Sequence, residues 1–141
     1  MKPLRNMMLA ATMMFFSISV WAEVVLIAHP SNAETQISLD TARDIYLGRV
    51  AMFPGGGKVI AVDQKDNTPA KTVFQEKVLK MDTGQVKAHW SKLIFSGRGT
   101  PPSVVGGNNE VRNWVASNPN GLGYIDKQAV DGSVKALLTI P

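Results

Sequence analysis

The sequence predicts an α/β fold, a mixed sheet flanked by helices, and three observations carry that reading. Short, β-branched apolar runs at residues 24–28 and 59–62 have the length and composition of buried strands. Between the strands lie segments whose apolar residues recur at helical spacing, each opened by a residue able to cap a helix. From Val59 to Phe74 the chain passes from a strand through a polar turn straight into a helix start, which is the repeating unit of α/β sheets.

Taken in order, residues 24–28 are continuously apolar and predict an interior strand, followed by a polar connector, 29–35, broken at Pro30. Ser38 caps a short helix with Leu39, Ala42, Ile45 and Tyr46 on its apolar face, Asp40 in its first turn and Gly48 placed to close it. A loop with Pro54 and three consecutive glycines leads to the strand 59–62. Thr68 and Pro69 suit the cap and first position of a second helix that continues through Ala70, Phe74, Lys77, Val78 and Met81. Asp82 and Gln85 form a capping pair for a helix with Val86, Trp90, Leu93 and Ile94 as its stripe. The Gly and Pro residues of 95–102 predict a loop centred on Arg98. A further helix from Asn109 presents Val111, Trp114 and Val115 to the core. A turn at 118–121, a strand at 122–125, a helical turn at 126–130 and a last strand at 134–140 complete the chain.

Composition bounds the function. Lys2 and Arg5 precede an apolar run from Met7 to Val20, and Val20 and Ala22 occupy the small positions before a signal-peptidase cut, so residues 1–22 read as a cleaved secretory signal peptide. The run is shorter than the roughly 20 apolar residues of a spanning helix, and no membrane insertion is expected after cleavage. Removing 22 residues from 141 leaves 119, enough for one domain, 23–141. Two of the 15 basic residues leave with the signal, so 13 face 11 acidic ones, a balance of +2 with no basic run, which excludes nucleic acid as a partner. The absence of cysteine excludes disulfides, thiolate catalysis, thiolate metal sites and a lipid thioether. In a diderm bacterium the expected location is the periplasm.

The turn at 63–67 is the main candidate site. The amides of Ala70, Lys71 and Thr72 open a helix, and such ends attract anions. An oxyanion there, or a plain strand-to-helix turn, both fit the spacing. His29 and His89 are far apart with no acidic partner at ligand spacing, so no metal is expected. No Gly-x-Ser-x-Gly elbow or paired nucleophile and base occurs, so no enzyme and no cofactor are expected. Trp90 and Trp114 read as core.

Four separated motifs resemble one family. They are Ile45-Tyr46-Leu47-Gly48, the stretch 59–74, His89 to Pro102 (HWSKLIFSGRGTPP), and Trp114-Val115 with Asn118 to Ile125 (NPNGLGYI). Together they look like the periplasmic substrate-binding proteins of phosphate ABC transporters, in the form of a short single-lobe relative. That resemblance implies a single lobe of a type 2 periplasmic binding protein, entered at the strand 24–28 with the first lobe absent. It also implies phosphate or a similar oxyanion as ligand, and a homodimer or protein partner completing the missing lobe.

Under that resemblance the ligand-binding candidates are Asn67, Thr68, Ala70 and Lys71 at the turn. Arg98 in the Gly-rich loop joins them, as do Ser31 and Asn32 after the first strand, since ligands of open α/β sheets lie beyond strand carboxyl ends. The chain departs from the family where the turn carries an arginine and a serine-glycine-threonine type sequence; here it reads Asp63-Gln64-Lys65-Asp66-Asn67-Thr68. Lys65 and Lys71 supply charge without an arginine's fork, and Asp63 and Asp66 repel phosphate unless they accept its proton. Binding by the isolated chain is expected to be millimolar, about 4 kcal/mol. The rival expectation is a one-lobe interaction or scaffold module that has lost the ligand.

Overall fold

A computed structural model describes residues 23–141; the signal segment read at 1–22 lies outside them. β1 (Val24–Ala28) is buried at all five positions because it is paired on both sides, antiparallel to β4 (Gly121–Asp126) and to β5 (Lys135–Ile140). β2 (Ile60–Gln64) runs parallel to β4 and to β3 (Ser103–Gly106), giving a five-stranded mixed sheet in the order β3-β2-β4-β1-β5. The fold class is therefore the α/β single-lobe architecture expected.

Alternation along β1 divides the core in two. Val24, Leu26 and Ala28 pack with α1 (Leu39–Tyr46), α2 (Pro69–Phe74) and Tyr124, whereas Val25 and Ile27 pack with Val62, Ile125 and the Val111 and Val115 side chains of α4 (Asn108–Ser117). On the first face Phe74 stacks on Tyr124 with ring centroids 4.0 Å apart, and Tyr46 meets Phe74 edge-on at 4.7 Å. On the second face Gly123 lets α4 approach the sheet, because a Cβ there would lie 2.5 Å from Val111 Cγ1.

The helix starts follow the sequence. Ser38 accepts a bond from Thr41 N, Thr68 from Lys71 N, and Asp82 and Gln85 form a complete capping box for α3 (Thr83–Phe95). Gly48 follows α1 at φ +76°.

Four expectations are corrected. The second helix is α-helical only to Phe74 and continues as a π-helical segment, Gln75–Leu79, ended by a left-handed Lys80. β2 runs two residues beyond Val62, because Asp63 and Gln64 pair with Val104 and Gly106 of β3, a short strand between the loop read at 95–102 and the helix read from Asn109, where no element was expected. Ile94 on α3 is exposed and does not join the core. The helical turn read at 126–130 is present as a 3-10 turn, Lys127–Ala129, whereas β5 begins at Lys135, one residue later than read. Among the described residues no helix is long and apolar enough to cross a membrane.

Candidate functional site

The corner where β2 meets α2 is set by its local sequence. Asn67 takes φ +66°, a conformation asparagine tolerates, and Pro69 fills the first helical position, so the chain reverses directly into α2. Asn67, Thr68, Ala70 and Lys71 are thus brought together.

The polar side chains of Thr68 and Lys71 are already engaged. Thr68 Oγ1 accepts from Lys71 N at 3.3 Å, and Thr72 N donates to Thr68 O at 3.2 Å. The Lys71 ammonium turns inward, 8% exposed as a residue, donating to Gln64 O at 2.9 Å and pairing with Asp66 Oδ1 at 3.1 Å and Asp63 Oδ2 at 3.4 Å. Asp63 Oδ1 accepts from the Tyr124 hydroxyl and, at 2.8 Å, from Gln64 N. The hydrogen bond and charge of Lys71 hold the Asp66 carboxyl below the usual carboxylate range. Burial, then the charge of Asp63, pushes the Tyr124 phenol far above its ordinary value, and burial does the same for Tyr46.

The network runs deeper along the carboxyl ends of the strands. Gln64 Nε2 donates to Asn108 Oδ1 and to Tyr124 O, both at 2.9 Å, and Asn108 Oδ1 accepts from Asp126 N at 3.0 Å. Tyr124, Asn108 and Asp126 were not among the site residues read from the sequence, and Asp63 and Gln64 were read only as part of the turn. The bonds that tie Tyr124, Asn108 and Asp126 into the network span 18 to 61 positions, so no local pattern reports them.

Ser31, Asn32 and Arg98 do not join this corner. β1 runs antiparallel to β4, with Ala28 opposite Leu122, so the residues after it emerge at the start of β2 and β4. Ser31 and Asn32 line a hollow of about 240 Å³ with Phe53, Gly55 and Asn120. Arg98 borders a groove of about 390 Å³ with Val50, Ile60, Trp90 and Pro102. A third hollow, about 380 Å³, lies between the π-helical segment and the start of α3, lined by Gln75, Glu76, Lys80 and Thr83. None of the three includes Asn67, Thr68, Ala70 or Lys71. His29 Nδ1 bonds Ser31 Oγ at 2.7 Å and His89 Nε2 bonds Leu47 O at 2.8 Å. Among the described residues no three His, Cys, Asp or Glu side chains converge as metal ligands.

The sheet order and the placement of the helices match the fold of one lobe of solved substrate-binding proteins of phosphate ABC transporters. A Clostridium perfringens protein described as a phosphate ABC transporter substrate-binding protein, solved with bound phosphate, superimposes with a TM-score of 0.66 at 24% identity, over 82% of this chain and 45% of that one. The ABC-type phosphate transport receptor of Vibrio cholerae gives 0.64 at 18% identity, over 82% and 46%. PstS of Borrelia burgdorferi gives 0.60 at 14%, over 82% and 47%. The chain spans less than half the length of these structures. No protein-family model and no curated protein matches it.

Proposed function

We propose that this chain is an exported, non-enzymatic interaction module that keeps one lobe of the phosphate-binding architecture and has turned the anion corner into internal structure. The observation that carries this reading is the Lys71 ammonium, held by Asp63, Asp66 and the Gln64 carbonyl. An incoming oxyanion meets two carboxylates and a lysine whose charge they already offset. One unit charge about 4 Å from another costs about 4 kcal/mol at an effective dielectric near 20. That matches the whole binding energy of a millimolar site. The structural neighbours, substrate-binding proteins of transporters, agree with a non-catalytic role. The signal peptide read at residues 1–22 directs the remaining domain to the periplasm.

A second reading has the phosphate bound by the Clostridium perfringens neighbour in its favour. Here Asn67, Thr68, Ala70 and Lys71 hold phosphate or a related oxyanion once a second copy or a partner covers the corner. Ser31, Asn32 and Arg98 belong to other parts of the surface in that reading. Calorimetric titration of residues 23–141 with phosphate, sulfate and molybdate, repeated with Thr68→Ala and Lys71→Ala, separates the two. The module reading expects no heat at millimolar anion. Phosphate heat that Thr68→Ala abolishes overturns it in favour of the binder.

A further inference from the structure

The described surface exposes six large apolar side chains, Val50, Met52, Ile60, Ile94, Phe95 and Val104. All six come from three stretches, residues 48–61, 90–95 and 98–104, which also supply most of the wall of the 390 Å³ groove. Val50 (40% exposed) and Ile60 (43%) line it directly, and Met52 and Val104 adjoin lining residues in sequence. Ile94 and Phe95, the latter 96% exposed, end the helix that contributes Trp90 to the same wall. Monomeric surfaces scatter exposed apolar residues, and Val50 and Ile60, exposed together in the wall of one groove beside Trp90, mark a place where something docks.

Charge on these stretches is of one sign. They carry Arg49, Lys58, Lys92 and Arg98 and no Asp or Glu, although the 13 basic and 11 acidic residues of 23–141 nearly balance overall. Arg49 pairs with Asp44 at 3.2 Å; Lys58, Lys92 and Arg98 form no ion pair among the described residues. The groove itself is firmly built. Trp90 is buried against Gly48, where a Cβ would lie 2.8 Å from its ring, and Pro101 and Pro102 stiffen the opposite wall. It opens beside the start of β3, the outermost strand on that side of the sheet.

Resting on the interaction-module reading, we propose that this groove docks an extended segment of a partner protein in which acidic and apolar side chains alternate. The apolar side chains enter between Ile60, Val50 and Trp90, and the carboxylates meet Arg98, the charged residue in the groove wall. Basic residues beside exposed apolar ones also suit an anionic membrane, but a concave, proline-walled groove receives side chains better than it lies on a lipid plane.

The test is calorimetric titration of residues 23–141 with a short synthetic peptide alternating glutamate and leucine, beside one alternating lysine and leucine. The acidic peptide should bind saturably and weaken with added salt, and Arg98→Glu and Ile60→Asp should each reduce its affinity by about tenfold or more. Both positions are exposed, and an unchanged thermal melt confirms that each variant folds. Failure of the acidic peptide to bind, equal binding of the lysine peptide, or Arg98-dependent binding to phosphatidylglycerol vesicles in its place overturns the proposal. If these fail while the anion titration stays silent, this groove is eliminated and the module reading stands; phosphate heat eliminates the module reading.

Discussion

Lys71 shows how little a side chain's role follows from its own position. Two residues into α2, its backbone is ordinary, yet its ammonium is enclosed because Asp63 and the Gln64 carbonyl at the end of β2 lie within reach. Lys71→Met keeps the aliphatic stem and removes the charge. It should lower stability by about 2 kcal/mol, read as a lower urea midpoint with an unchanged m-value. Asp66 supplies a second readout. Its depressed carboxyl contributes stability that is complete above the unfolded value near about pH 4 and is lost as pH falls through the lower folded one. In Lys71→Met an NMR titration of Asp66 should move up toward the ordinary carboxylate value, and that part of the acid dependence should disappear.

Between α4 and the sheet, contact distance decides more than hydrogen bonding does. Gly123 sits under Val111 and Val115, where an added Cβ lies 2.5 Å and 3.2 Å from their methyl carbons. Gly123→Ala therefore has to displace α4, and thermal or urea unfolding should show a loss of about 1–3 kcal/mol. Gly132→Ala is the control, since a Cβ there meets nothing within 4 Å. It should change stability by less than about 0.5 kcal/mol. Val111→Ala added to Gly123→Ala should return part of the loss by making room; if it adds to the loss, the close approach is not the cause.

The molecule as a whole is held at one point where its layers meet. Tyr46 from α1, Phe74 from α2 and Tyr124 from β4 pack as one aromatic group, Tyr46 donates to Val62 O at 2.9 Å, and Tyr124 donates to Asp63. Both phenols, the only two in the chain, are held protonated by burial and by the negative charge of Asp63. Because their folded values are raised, stability is complete below the unfolded tyrosine value near about pH 10 and declines above it as the unfolded chain ionises first. The decline should approach about 1.4 kcal/mol per pH unit for each tyrosine. Absorbance should show both phenolates emerging together with loss of structure, and tyrosinate absorbance in the intact fold would refute this arrangement.

What the sequence settled is local in its physics. The caps at Ser38, Thr68 and Asp82, the glycine closing α1 and the continuous apolar run of β1 act within a few residues, and each was legible in the chain. The α/β class followed because strand and helix periods alternate. β3 was not legible, because a four-residue edge strand after Pro101 and Pro102 exists only through its pairing with β2. The grouping of the candidate residues also required the tertiary structure. Asn67 to Lys71 are sequence neighbours and stayed together, while the reversed direction of β1 carried Ser31 and Asn32 to the other end of the sheet, and Arg98 followed the start of β3 there. Whether Lys71 faces an anion or its own carboxylates depends on Tyr124 fixing Asp63 across 61 positions of chain, and contacts over such a distance leave no periodic trace.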